Sequence, residues 1–140
     1  MSILPLPIEE QIDEIISELD HVFFPTEGAR LAGSGRQILI VRTSQFFTAG
    51  HATNGVADSQ AYIRLLGSPS PSSQVTNGYI RFVPADQIRT PTYSSKRQQI
   101  NIWVNQDCLT MTLAQMQHSQ RYLWIGFFGA HTYGDLHSSP

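Results

Sequence analysis

One cysteine, Cys108, and one lysine, Lys96, occur in 140 residues. A single thiol excludes an intrachain disulfide, and a chain of this length buries enough surface to hold a core without a staple. No run approaches the roughly 18 apolar residues of a transmembrane helix. The opening MSILPLPIEE has neither a basic region nor a long apolar stretch. It is not expected to be a signal peptide, and a cytoplasmic setting follows, which a lone thiol also fits. There is no GxSxG, no HExxH, no Walker loop and no paired CxxC, so the best-marked catalytic classes have no support. No cofactor is expected. Charged residues make up only 14% of the chain, so Ser, Thr, Asn and Gln must cover the surface. Low charge and open sheet edges together favour self-association, and a homodimer is the expected state.

The charge that is present is unevenly spread. Glu9, Glu10, Asp13, Glu14, Glu18 and Asp20 are six of the eleven acids. From His21 onward nine bases oppose five acids, and eight of those bases are Arg. The acids alternate with Ile8, Ile12, Ile15, Ile16 and Leu19, which share one face at helical spacing. Pro7 suits the first turn and Pro25 ends the pattern. An amphipathic helix that docks its Ile/Leu face is expected, after an arm over residues 1–6. Gly33-Ser34-Gly35 follows a helix rather than a strand, so it reads as a plain connection and not a phosphate loop.

The rest reads as strands. Gln37–Thr43 is short and apolar, and Phe46–Thr48 continues it after a bulge. An Asn-Gly pair at Asn54-Gly55 signals a turn before Gln60–Leu66. Gly67–Ser73 has the composition of a mobile surface loop. Gly78–Val83 is the next strand, Pro84–Arg89 a single helical turn, and Gln98–Val104 alternates cleanly. Asn105-Gln106-Asp107 suggests a hairpin into Cys108–Leu113, with Cys108 a structural thiol. His118 is expected in a solvent-exposed connector. Tyr122–Ala130 is apolar throughout its length and reads as a strand buried on both faces. These elements predict an α+β fold. One N-terminal amphipathic helix packs on a curved, mainly antiparallel sheet of five to seven strands. A single domain over residues 1–140 is expected, with a loose tail at 136–140.

Function is read from few residues. After Gly129, His131, Tyr133, Asp135 and His137 share one parity and would face one side of a continued strand. Asp135 could orient His131 as a general base, and Asp135 with His137 has ligands a transition metal accepts. Against this, residues four apart on a strand lie roughly 13 Å from each other, and a polar strand end needs no function. An apolar pocket between helix and sheet, lined by Trp103, Trp124, Phe127 and Tyr133 with His51 nearby, points to a non-enzymatic small-molecule-binding or accessory domain. The alternatives are a small enzyme using His131, Asp135 and His137, and a homodimeric assembly module without a ligand. Tyr62/Arg64 and Tyr79/Arg81 would form one aromatic and cationic surface if their strands pair. That surface suits an anionic ligand. The net charge of −2 and the single Lys argue against nucleic acid.

Overall fold

The computed structural model describes Glu10 and residues 36–53, 56–128 and 131–140. The side chains of 51–53, 56–59 and 128 lie outside the description. So does the segment expected to form the amphipathic helix, apart from Glu10, which is helical and exposed.

The α+β expectation is overturned. Most described residues belong to one seven-stranded mixed sheet curled into a near-barrel. The strands are β1 (Arg36–Thr53), β2 (Val56–Pro69), β3 (Asn77–Val83), β4 (Thr92–Ser94), β5 (Gln99–Asn105), β6 (Gln120–Phe128) and β7 (His131–Ser139). Their spatial order is β4-β5-β3-β2-β1-β6-β7. Every pairing is antiparallel except β3 with β5, which runs parallel. Residues 84–98 make the crossover that a parallel pair requires, and they place β4 on the far side of β5. Residues 85–87 form a 3-10 turn, where a single helical turn is expected.

Strand alternation sorts the side chains. Leu39, Ile63, Leu65, Ile80, Ile100, Ile102, Leu123 and Ile125 face inward and are at most 2% exposed. Each such side chain contributes about 1.5–3 kcal/mol by leaving water. β6 lies between β1 and β7, and Leu123, Trp124 and Ile125 are successively buried. A strand can bury consecutive residues only if both faces are covered. The apolar run of β6 has that meaning.

The expected hairpin over residues 98–113 does not form. Asn105 Oδ1 accepts the Asp107 N–H at 2.9 Å, which starts a 3-10 turn over Gln106–Cys108. The α-helix α1 (Leu109–Gln115) follows. Leu109, Thr112 and Met116 fall at helical spacing and pack toward the core. Gln115 Nε2 donates to Leu136 O at 3.0 Å and ties α1 to β7. Cys108 therefore sits in a helical turn rather than in a strand.

Two further expectations are corrected. Residues expected to form a mobile loop after Gly67 are held to β1: Ser70 N donates to Ile38 O at 3.0 Å, and Ile38 N donates to Ser73 Oγ at 2.8 Å. The chain end from Leu136 to Ser139 is no loose tail, because it pairs with residues 120–123. The polar segment after β6 returns as β7 instead of extending the strand. Gly134 marks the closure of the near-barrel. A Cβ there would lie 2.9 Å from Ile102 Cγ2 and 3.2 Å from Pro91 Cβ. Among the described residues no helix is long and apolar enough to cross a membrane.

Candidate ligand-binding face

A bulge in β1 sets up the outer face. Register shifts between Val41 and Thr43, leaving Arg42 as an extra residue. Before the bulge Leu39 and Val41 point inward; after it Phe46 pairs with inward-facing Ile63, and Phe47 turns outward opposite Tyr62. One inserted residue exchanges the faces of every residue beyond it. Gly67 lies opposite Val41, and a Cβ at Gly67 would collide with Ile40 O. Only glycine lets the backbones approach so closely at this bulge.

Phe47 stands opposite Tyr62, Tyr62 opposite Arg81, and Arg81 opposite Trp103. The four form one row across β1, β2, β3 and β5. Phe47 and Tyr62 stack at 4.7 Å between centroids with 17° between planes. The neighbouring row is Gln45, Arg64, Tyr79 and Asn101. Tyr62 and Tyr79 are 5.9 Å apart and tilted by 59°. Arg81 lies over the Tyr79 ring at 4.7 Å, and Arg89 lies over the Trp103 ring at 4.9 Å. The sequence echo Tyr62-Ile63-Arg64 and Tyr79-Ile80-Arg81 thus has a structural meaning. Antiparallel pairing crosses it, so each tyrosine faces the other strand's arginine.

Among the described residues no carboxylate holds these guanidiniums. Arg81 Nη2 donates to Asn101 Oδ1 at 3.3 Å, and Arg64 Nε is buried with no hydrogen-bond partner among the described residues. No acidic residue occupies an outward position of β3 or β5, nor of β2 from Gln60 onward. Residues 36–140 hold eight bases and four acids. The negative net charge of the whole chain comes from elsewhere.

This row ends in a cleft of about 280 Å³, lined by Tyr62, Arg81 and Trp103 with Gln60, Gln87 and Gln106. A second cleft of about 400 Å³ shares Gln60 and Gln106 but has the more apolar wall of Ala61, Phe82 and Leu109. No protein-family model, curated protein or solved structure matches this chain.

The residues singled out from sequence are dispersed. Trp124, Tyr133 and Asp135 meet on the outer face of β6 and β7. The rings of Trp124 and Tyr133 are 5.3 Å apart, and Tyr133 Oη donates to Asp135 Oδ2 at 3.0 Å. Burial pushes the Asp135 carboxyl above its usual range, opposed by the Tyr133 hydrogen bond, the His137 imidazole and the Trp124 indole. Burial, then the nearby Asp135 charge, pushes the Tyr133 phenol up as well. Trp124 Nε1 and Asp135 Oδ1 are both buried and, among the described residues, neither has a hydrogen-bond partner beyond the other's side chain, the indole favouring the carboxylate. His137 stacks on Tyr122 at 6.4 Å.

His131 is exposed at the start of β7, four residues and roughly 13 Å of strand from Asp135. The structure does not bring that pair together. Among the described residues no group of three or more His, Cys, Asp or Glu could hold a metal ion. Phe127 packs against the core, and Trp103 is four strands from Trp124 along the sheet. The backbone of His51 pairs with Asp58 in the β1–β2 hairpin. A cleft of about 190 Å³ does lie between α1 and the sheet, but Ile80, Ile102, Val104 and Met111 are among its lining, and none of Trp103, Trp124, Phe127, Tyr133 and His51 joins them; Asp135, expected as a catalytic or metal-binding residue, does.

Sequence reading found Tyr62, Arg64, Tyr79 and Arg81 by parity. It missed Phe47 and Arg89 on this face. The bulge decides where Phe47 points, and the crossover brings Arg89 to Trp103.

Proposed function

We propose that the protein is a non-enzymatic binding domain for a small anionic ligand that carries a planar ring. The observation that carries this reading is the in-register row of Tyr62, Arg81 and Trp103 opening into the 280 Å³ cleft. An arginine with no carboxylate partner among the described residues recognises an anionic group, and aromatic faces on either side of it stack a ring. Gln60, Gln87 and Gln106 supply neutral donors and acceptors at the mouth. Ligand sites commonly combine a few convergent polar groups with such walls. A purely apolar ligand would strip water from Arg81 and three amides without replacing its hydrogen bonds, which is costly.

Adenosine monophosphate is a suitable probe, since it joins a planar heterocycle to an anion. Binding is read from quenching of tryptophan fluorescence. Adenosine and inorganic phosphate test the two halves separately, and each should bind more weakly than the whole. Arg81→Ala should weaken binding by about 1.5–3 kcal/mol, the contribution of a charged hydrogen bond. An unchanged Kd in that variant would remove Arg81 from the site and refute the reading.

A further inference from the structure

The outer face does not stop at the cleft. It continues along β2 to Arg64, along β3 to Tyr79 and Asn77, and along β5 to Asn101 and Gln99. Neither Arg64 nor Tyr79 lines the cleft. A small ligand seated at Tyr62 and Trp103 would leave this part of the surface unused.

We propose that the whole face binds single-stranded nucleic acid. Bases stack on Tyr62, Tyr79 and Trp103, and phosphates meet Arg64, Arg81 and Arg89. This rests on the reading of the cleft as a site for an anion with a ring, and extends it from one nucleotide to a strand. Three kinds of chemistry are needed, and all three share this face. Ring faces give sequence-tolerant stacking. Guanidiniums neutralise the backbone, and Arg81 and Arg89 each lie within 5 Å of a ring. Fixed amides read base edges, as proteins do with unstacked single strands.

The amides are fixed by one another. Gln99 Nε2 donates to Asn77 Oδ1 at 2.9 Å, Asn101 Nδ2 donates to Gln99 Oε1 at 3.4 Å, and Asn77 Nδ2 reaches Arg97 O at 3.1 Å. Such a ladder loses little side-chain freedom when a ligand arrives. The charge balance of the strands differs from that of the whole chain. The six clustered acids lie within residues 9–20, whereas residues 36–140 carry twice as many bases as acids. A neutral oligosaccharide could also use the rings and amides, but it would leave the guanidiniums without counter-charges.

The test is fluorescence anisotropy on the full chain with a fluorescein-labelled oligothymidine of about twelve residues, within the range of single-strand site sizes. Thymidine monophosphate and adenosine monophosphate are measured alongside. The oligonucleotide should bind more tightly than either. Its log K should fall with log salt at a slope of about −0.7 for each phosphate engaged, and Arg89→Gln should reduce the slope by about that amount. Tyr79→Ala should weaken the oligonucleotide roughly 5- to 140-fold, the loss of one stacked base. The same variant should weaken mononucleotide binding by a smaller factor, because Tyr79 is outside the cleft and reaches it only through Tyr62 and Arg81. Arg64→Gln should behave like Tyr79→Ala, and circular dichroism confirms that each variant is folded. An oligonucleotide that binds no tighter than the mononucleotides overturns the strand proposal and leaves the cleft standing. Failure of every nucleotide to bind overturns both. Displacement of the oligonucleotide by a neutral oligosaccharide at equal concentration also overturns it.

Discussion

Trp124 and Trp103 both point outward from the same sheet, yet their surroundings differ. Trp124 is fully buried, in contact with Tyr133, and close to the carboxyl of Asp135. Trp103 is half-buried, lies under Arg89 and borders a cleft. One ring is packed and the other presented. Aromatic side chains serve either end, because they bury much area and also stack on flat ligands. What separates the two uses here is the company: a carboxylate and full burial on β6 and β7, guanidiniums and access on β2, β3 and β5.

That contrast makes its largest prediction in stability. Trp124→Ala should cost about 3–5 kcal/mol, as deletion of a buried aromatic does. Trp103→Ala should cost about 1 kcal/mol or less, since surface changes rarely do more. Urea denaturation followed by circular dichroism measures both. Equal losses would mean that Trp103 is a packing residue and would break the comparison.

A middle-sized effect concerns closure of the near-barrel beneath the packed face. Gly134→Val places methyl groups against Ile102 and Pro91 and should cost about 1–3 kcal/mol, the usual range for overpacking. Gly134 does not line the cleft beside Trp103, so the Kd for adenosine monophosphate should not change in the folded variant. A change in both quantities would show that the two regions are coupled.

The smallest effect is the dependence on acidity. Asp135 has its carboxyl raised above the ordinary value of 3.8, mainly by burial. The folded state therefore holds this proton more tightly than the unfolded chain does. The associated stabilisation is present below the unfolded pKa and is lost as pH rises through the folded one. Asp135→Asn keeps an oxygen for the Tyr133 hydroxyl and removes the charge. Its midpoint should rise relative to the parent as pH increases from about 4, the unfolded carboxyl value, toward neutrality. The two curves should meet at the acid end. Parallel curves across that window would show a solvated Asp135.

Local pattern carries much of this architecture and long-range pairing carries the rest. Alternation in Gly78–Val83 and Gln98–Val104 and the short apolar run of Gln37–Thr43 mark strands. The break near Thr43 marks a bulge. The long apolar run from Tyr122 marks a strand covered on both sides. Nothing local says that β3 lies beside β5 in parallel, because that contact joins residues 77–83 to 99–105 through a crossover. Asn105 illustrates a local competition. Its side chain can sit in a tight turn or cap a helical one, and the apolar spacing of Leu109, Thr112 and Met116 decides for the helix. The face bearing Tyr62, Arg64, Tyr79 and Arg81 is legible from parity alone. Gathering Trp103 and Trp124 into one pocket is not supported by strand order, which parity does not reveal.

Strand order also has a consequence for how the chain acquires its structure. Residues 36–40 pair with 122–126, so β1 gains one of its neighbours only after most of the described sequence exists. Closing so long a loop is slow, since its entropy is lost before the contacts reward it. During synthesis the edge of Ile38, Leu39 and Ile40 stands open while β2 through β5 are added. An apolar edge that waits for its partner can pair with another chain instead. Yield on expression should then depend on temperature and on chaperone supply more steeply than the equilibrium stability of the finished sheet would suggest.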